Sequence, residues 1–340
     1  MLRLANDKVL KCVRFTRWSL PIFFCAGLVL TFGQTASLDI LRVEGGPTIT
    51  VAVARLNGIF KKYGIEIQSS SSSSSNSMRD RLANGQVDIV DDGLDNAVAM
   101  VLGGADVVIV TGSKLSDQEL IAQPDVKSAQ DLRGKTVIVD APNTQAALLL
   151  KKILLLSGLK PTLDYQLKTV GTRRLPEMQA HKEYAAGMLS GTSAILAKRQ
   201  GFVSVGMSSK LIGPLLYHGS FARRQWAQDH ADLLMRFVAA NIEAQRWILL
   251  PANRAKVIEI IMDSSNPEIP AEVAAEAYAG MVNGPGALTK DLRFDVSAFE
   301  NFLRLRAEVE GSWGGSPPPA DRFYDLSYYD KAMAKMRPQR

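Results

Sequence analysis

Cysteine and histidine are scarce in this sequence, and their scarcity excludes most metal and disulfide chemistry. The 340 residues include two cysteines and three histidines. Two cysteines cannot form a disulfide framework or supply a four-ligand zinc site. The histidines His181, His218 and His230 lie in polar contexts without metal-ligand spacing. We therefore expect no metal site and no cofactor.

Motifs of nucleophilic and phosphate chemistry are also missing. The sequence contains no G-x-S-x-G elbow, P-loop, H-E-x-x-H motif or Rossmann glycine fingerprint. Beyond the first 36 residues it has no basic stripe with interleaved aromatic residues, which disfavours nucleic-acid binding. We predict a protein that is not an enzyme and does not bind nucleic acid.

Charge is unevenly placed, and the first 36 residues hold much of the basic excess. They contain five basic residues and one acidic residue, and an apolar run of 15 residues occupies 18–32. A basic start, a short apolar run and small residues after it are typical of a cleaved secretory signal peptide. As a helix this run would span about 22 Å, less than the hydrocarbon core of a bilayer. We expect cleavage near Ala36 or Ser37, with an uncleaved membrane anchor as the alternative.

Removal of this segment changes the character of the chain. The net charge falls from +6 to +2, and both Cys12 and Cys25 are lost. A thiol-free, nearly neutral chain suits an oxidising compartment. We therefore expect a periplasmic protein, or a membrane-tethered one if the segment is retained.

The remaining chain alternates short apolar strands with amphipathic helices, which is typical of α/β architecture with mainly parallel sheets. Its length is greater than a single hydrophobic core normally supports, which favours two domains. From residue 221 onward the pattern is mostly helical. We predict the following organisation: a signal peptide at 1–36, a discontinuous lobe 1 at 37–122 and 217–310, lobe 2 at 123–216, and a linker with a tail segment at 311–340.

Small polar loops follow several predicted strands, at the sheet edge where open α/β sheets bind ligands. They are GGPT (45–48), a serine run (69–75), DDGLDN (91–96), DAPNT (140–144) and VGT (170–172). One such loop alone is more typical of a helix cap, but five on two units predict a ligand cleft between lobes. The residues that we predict to bind the ligand are Thr48, Ser69, Ser70, Ser71, Asp92, Asn96, Asn143, Thr144, Gly171 and Thr172.

The serine run has two interpretations. Poly-serine is commonly a flexible, solvated linker. Here only a few residues separate a strand from a helix, for which Ser77 is the predicted N-cap. The run is therefore either a linker or a ligand-facing loop rich in hydroxyl groups.

The polarity of the ligand is open as well. Helix N-termini at Thr48, Ser77, Thr144 and Thr172 favour an anionic group. The loop with Asp91, Asp92 and Asp95 favours an amine or a nitrogen heterocycle, although aspartates also form turns and cap helices. A zwitterion such as an amino-sulfonate, or a pyrimidine, would be compatible with both the helix N-termini and the acidic loop.

Several stretches are similar to one family of transport receptors. GIFKKYGIEI (58–67), LANGQVDIV (82–90) and above all DLRGKTVIVDAPNTQAALLLKKIL (131–154) resemble periplasmic solute-binding proteins of ABC importers. The resemblance is to the SsuA/THI5-like, or NMT1-type, group that covers sulfonate, taurine, nitrate and thiamine-pyrimidine receptors. It extends over residues 38–310. Two departures are the serine run, which replaces a Gly/Ser loop, and residues 184–187, which replace an acidic residue.

The resemblance implies a two-lobed periplasmic binding protein of type II, with a mainly parallel sheet flanked by helices in each lobe and two crossover strands. It also implies an extracytoplasmic monomer that closes on a small polar organic solute and delivers it to an ABC permease. The solute would be sulfonate-, taurine- or pyrimidine-like. The alternative is an enzyme like thiamine-pyrimidine synthases, which depend on a Cys-rich motif that the chain lacks after residue 36.

Overall fold

The computed structural model describes residues 37–45, 48–264 and 269–336. The predicted signal peptide and its cleavage site lie outside the described residues, as do Gly46 and Pro47 of the GGPT loop. Within the described ranges, no helix has the length and apolar character needed to cross a membrane.

The strands follow the chain in two groups. They are β1 (Asp39–Glu44), β2 (Ile65–Ser70), β3 (Ile89–Gly93), β4 (Val107–Ile109), β5 (Lys114–Leu115), β6 (Glu119–Ala122), β7 (Thr136–Val139), β8 (Gln166–Thr169), β9 (Tyr184–Leu189), β10 (Val203–Met207) and β11 (Leu216–Arg223).

Helices separate these strands and dominate the last third of the chain. They are α1 (Ile49–Leu56), α2 (Ile59–Lys62), α3 (Ser75–Ala83), α4 (Asp95–Leu102), α5 (Gln145–Leu156), α6 (Arg174–Ala180), α7 (Gly191–Arg199), α8 (Ser208–Leu211), α9 (Arg224–Asp229), α10 (Ala231–Leu249), α11 (Arg254–Asp263), α12 (Ala271–Asn283), α13 (Val296–Glu310) and α14 (Ser327–Lys335).

Sheet 1 has the strand order β2-β1-β3-β11-β4, with β5 paired to β11. Strand β1 is parallel to β2 and β3, whereas β11 is antiparallel to β3, β4 and β5. All strands of sheet 1 except β11 therefore run in one direction.

Sheet 2 repeats this arrangement with the order β10-β6-β9-β7-β8. Strand β7 is parallel to β8 and β9, and β6 is antiparallel to both of its neighbours. The α/β class with two mainly parallel sheets is thus confirmed, and the two sheets fit two lobes. We call sheet 1 with its helices lobe 1 and sheet 2 with its helices lobe 2. Strand β6 pairs in sheet 2 although the predicted boundary at 122 assigns it to lobe 1, and the lobe boundaries remain a prediction.

One apolar cluster contains residues of both lobes and brings them together. It includes Val90 and Phe221 from sheet 1, Val137 from sheet 2, Leu148 on α5 and Phe302 on α13, all of them fully buried. Burial of such side chains is the main force that holds packed elements together. The carboxyl ends of β1, β3 and β7 are thereby held near each other.

The two ends of the serine run belong to regular elements. Strand β2 extends to Ser70 and helix α3 begins at Ser75, so only four residues connect them. The expectation that Ser77 caps this helix is wrong, because the Oγ of Ser74 accepts the amide hydrogen bond of Ser77 at 3.2 Å.

The predicted loop DDGLDN is also partly strand. Residues 91–93 extend β3, and Asp91 is fixed there by hydroxyl groups of neighbouring segments. Its carboxylate accepts hydrogen bonds from Thr48 Oγ1 at 2.9 Å and from Ser220 Oγ at 2.8 Å. This buried aspartate therefore ties the start of α1 to β11.

Candidate ligand-binding cleft

A cavity of about 610 Å³ lies where the carboxyl ends of the sheet 1 and sheet 2 strands meet. Its lobe 1 wall includes Glu44, Ser71, Asp92, Asp95, Asn96 and Tyr217. Its lobe 2 wall includes Asp140, Thr144, Gln145, Thr172, Arg173 and Arg174. The volume and the polar lining suit a small organic solute.

Five of the predicted site residues line this cavity. They are Ser71, Asp92, Asn96, Thr144 and Thr172. They come from four different loops, which the fold brings together because the strands before them end at the same edge. That these residues bind a ligand remains a prediction.

Two further predicted residues, Ser69 and Ser70, line a smaller cavity of about 170 Å³ together with Ser71. Glu44 borders both cavities. Ser70 donates a hydrogen bond to Glu44 at 2.5 Å, which leaves its hydroxyl group engaged within the protein.

The remaining predicted residues, Thr48, Asn143 and Gly171, are not part of the lining given for either cavity. Thr48 caps α1 by accepting the amide of Val51 at 3.3 Å. The Oδ1 of Asn143 accepts a hydrogen bond from Arg79 at 3.3 Å, so this side chain is used in contact between the lobes.

Gly171 has a structural role at the cleft. Its φ is +74°, a conformation that favours glycine, and a Cβ atom there would lie 3.3 Å from the carbonyl oxygen of Ser73. The two lobes thus approach each other closely at this position.

Glu44 is a buried carboxylate that accepts hydrogen bonds from the serine run and forms an ion pair with an arginine. Ser72 Oγ donates to it at 2.5 Å and Arg81 Nη1 lies 2.6 Å away. Parallel pairing places Glu44 opposite Ser70 in the sheet. Because a buried charge needs partners, these contacts explain why serines follow β2.

Three acceptor groups from lobe 1 form what we call the acceptor floor: Asp92, Asp95 and Asn96. Asp95 is buried and accepts the main-chain amide of Gln145 at 3.0 Å. Burial, together with the smaller effect of the nearby Asp140 carboxylate, raises the pKa of the Asp95 carboxyl to about 6. The Gln145 hydrogen bond acts in the opposite direction.

The lobe 2 wall is built around the first turn of α5. Thr144 caps this helix by accepting the amide of Ala147 at 3.3 Å and donates to Asp140 at 2.7 Å. Arg174 lies 3.2 Å from the same carboxylate. The neighbouring Arg173 is exposed and lines the cavity. This wall therefore offers one guanidinium group to an anion.

Among the residues that the structure describes, no group of three or more His, Cys, Asp or Glu side chains could hold a metal ion.

A sequence model of the NMT1-like family matches residues 45–262, which is more than half of the chain. The chain belongs to the NMT1-like family. No sequence among the curated proteins matches it.

Solved structures show the same fold as this NMT1-like chain. The nitrate-binding protein NrtA of Synechocystis PCC 6803 has a TM-score of 0.72 at 14% identity, covering 89% of this chain and 90% of NrtA. The aliphatic sulphonate-binding protein SsuA of Escherichia coli has a TM-score of 0.67 at 17% identity, covering 85% of this chain and 92% of SsuA. The zinc-bound ligand-binding component of a Staphylococcus aureus ABC-type import system has a TM-score of 0.71 at 13% identity. The match covers 86% of this chain and 99% of that component. The predicted periplasmic binding protein fold is thereby confirmed.

Sequence reasoning missed several residues that line the cleft of this NMT1-like protein. They are Glu44, Asp140, Gln145, Arg173, Arg174 and Tyr217. A signal was present for Glu44 and Asp140, since each is an acidic residue at the carboxyl end of an apolar strand. Tyr217 had no comparable signal, because it reaches the cleft only through β11, which returns late in the chain.

Tyr217 contributes a neutral phenol to the cavity. Burial raises its pKa well above the ordinary value, and the carboxylates of Asp92 and Asp95 raise it further. The hydroxyl group therefore stays protonated and serves as both donor and acceptor near neutral pH.

Proposed function

We propose that this protein is the substrate-binding receptor of an ABC import system, which closes its two lobes on a small polar organic solute and delivers it to a membrane permease. The observation that carries the proposal is a cavity of solute size with polar groups from both lobes. The family and the fold neighbours support it.

The geometry fits a closure mechanism. A solute in the cavity would contact Asp92 and Asn96 of lobe 1 together with Thr144 and Thr172 of lobe 2. Such a solute interacts with both walls only when the lobes are together, so it shifts the population toward the closed form. No covalent step is required.

The proposal includes an extracytoplasmic location and a monomeric receptor that docks to its permease when closed. Sulfonate-, taurine- and pyrimidine-like solutes are the first candidates. Mass spectrometry of the exported protein tests the location, because a new N-terminus near residue 37 is expected and an intact Met1 contradicts a soluble receptor.

Ligand-dependent stabilisation tests the receptor function directly. We would measure thermal unfolding of the purified protein with alkanesulfonates, taurine, nitrate and pyrimidines. A ligand at 100 times its Kd stabilises a protein by about 2.7 kcal/mol. Small-angle X-ray scattering should show a smaller radius of gyration with the same ligand. Absence of both effects for every compound would refute the function for these solute classes.

A further inference from the structure

The acceptor floor lacks the donors that its carboxylates would need from the protein. Asp92 accepts the amide of the adjacent Gly93 at 2.6 Å, and among the described residues Asp95 accepts only the Gln145 amide. Within the described part of the chain, neither aspartate forms an ion pair with a lysine, arginine or histidine. Two carboxylates therefore face the cavity without a cation of their own.

Asn96 supplies an independent indication of a missing donor. Its side-chain nitrogen donates to the carbonyl oxygen of Gly93 at 3.1 Å, which fixes the orientation of the amide. The other atom, Oδ1, has no hydrogen-bond partner although Asn96 lines the cavity and is only 3% exposed. A buried acceptor left unpaired costs stability, and this cost disappears when a ligand donates to it.

Except for Arg173, the other charged side chains that line the cleft are already paired among the described residues. Arg81 neutralises Glu44, and Arg174 neutralises Asp140. Arg306 also lies near Asp95, but its guanidinium donates to the Asn143 carbonyl and to Glu310.

Two unpaired carboxylates on the floor are therefore opposed by the single exposed guanidinium of Arg173, on the lobe 2 wall. A simple anion entering this cavity would meet net negative charge.

We propose that the acceptor floor binds a positively charged or N–H-donating group of the solute, with Arg173 facing its other end. The solute class is then an organic cation, a zwitterion or an amino-substituted heterocycle, and simple inorganic or alkyl anions are discriminated against. This inference rests on the proposed receptor function. Desolvation strengthens hydrogen bonds between charged partners, so the amino group would supply most of the selectivity.

Matched pairs of compounds test the proposal by calorimetry on the purified protein. The pairs are taurine with ethanesulfonate, β-alanine with propionate, and 4-amino-2-methylpyrimidine with 2-methylpyrimidine, and nitrate is included as a simple anion. In at least one pair we expect the amino compound to bind tenfold or more tightly than its partner.

The variant Asp92→Asn assigns this preference to the floor. Asparagine keeps an acceptor for the Gly93 amide but removes the charge. The ratio of the affinities for the amino compound and its partner should therefore fall toward one. Asp229→Asn, an exposed aspartate at the end of α9, is the matched control and should keep the wild-type ratio. Circular dichroism confirms that both variants are folded.

The outcomes separate this inference from the receptor function. Equal or tighter binding of the compounds without an amino group, or of nitrate, overturns the inference and leaves the receptor function standing. A preference for amines that Asp92→Asn does not reduce also overturns the role of the floor. If no compound binds, the inference is refuted together with the proposed function for these solute classes.

Discussion

The main-chain amide of Gln145 donates a hydrogen bond to Oδ2 of Asp95, with 3.0 Å between nitrogen and oxygen. This bond joins the first turn of α5 in lobe 2 to the first turn of α4 in lobe 1. The Gln145 side chain extends the link, since its Nε2 donates to the carbonyl oxygen of Leu216 at 3.2 Å. The positive end of the α5 dipole thus faces the buried carboxylate.

The ionisation of Asp95 should make the unliganded protein less stable as the pH rises. Its folded-state pKa of about 6 lies above the ordinary value of 3.8, so the unfolded chain loses this proton first. The full stability is present below pH 4 and is lost as the pH rises through 6. Asp95→Asn should therefore stabilise the protein at pH 8 by up to about 3 kcal/mol.

Denaturant unfolding at pH 4 and pH 8 checks this prediction. Asp95→Asn should gain much less at pH 4, because Asp95 is protonated in the folded protein and partly protonated in the unfolded chain at that pH. The control Asp229→Asn should show no gain at either pH. An equal gain of Asp95→Asn at both pH values would contradict the assigned cause.

Removal of the Gln145 side chain should weaken the link between the lobes. Gln145→Ala leaves the buried carbonyl of Leu216 without its donor, which costs about 1–3 kcal/mol. Ligand affinity should fall as well, because the residue lines the cleft. Unfolding and ligand titration are compared with Gln179→Ala, an exposed position whose loss should change neither quantity. Wild-type stability of Gln145→Ala would disprove the role of this link.

Arg306 should be the most sensitive arginine of α13. It is 1% exposed and donates to the carbonyl of Asn143 and to Glu310. Arg306→Ala leaves a void and unpaired groups and should destabilise the protein by about 3 kcal/mol or more. Arg304→Ala, on the same helix but exposed and paired with Glu300 at 3.8 Å, should cost about 1 kcal/mol or less. Similar losses in the two variants would refute this distinction.

Gly171→Ala should affect closure as well as stability. The positive φ costs an alanine about 1–2 kcal/mol, and its Cβ would press on the Ser73 carbonyl across the cleft. Gly158 has a φ of +77° and nothing within 4 Å of a Cβ, so Gly158→Ala carries the strain without the contact. Only Gly171→Ala should weaken ligand binding. Equal affinities in the two variants would exclude an effect on closure.

Local patterns predicted the scaffold and part of the cleft. Thr144 is recognisable from the sequence because it lies between a turn that follows a β-strand and the helix that comes next. It caps this helix as expected. Asp92 and Asn96 are predicted because acidic and amide residues follow an apolar strand, and both line the cleft. These features depend on neighbours within a few residues, which is the range that periodicity and capping rules describe.

Distant partners explain what the sequence could not predict. Asn143 resembles a ligand residue in its loop, but its side chain is used by Arg79 and its carbonyl by Arg306, which lies 163 positions away. In the serine run, Ser70 and Ser72 donate hydrogen bonds to Glu44, which belongs to a neighbouring strand. Such pairings require the tertiary fold and cannot be inferred from local propensity.

The central place of β11 in sheet 1 has a consequence for how the molecule is assembled. β11 lies between β3 and β4, yet all of sheet 2 is encoded between β4 and β11. Until β11 arrives, β3 and β4 present unpaired edges, and closing so long a loop is slow. During synthesis or export the second lobe can complete its sheet first. The lobe that the chain begins earliest is the one that it finishes last.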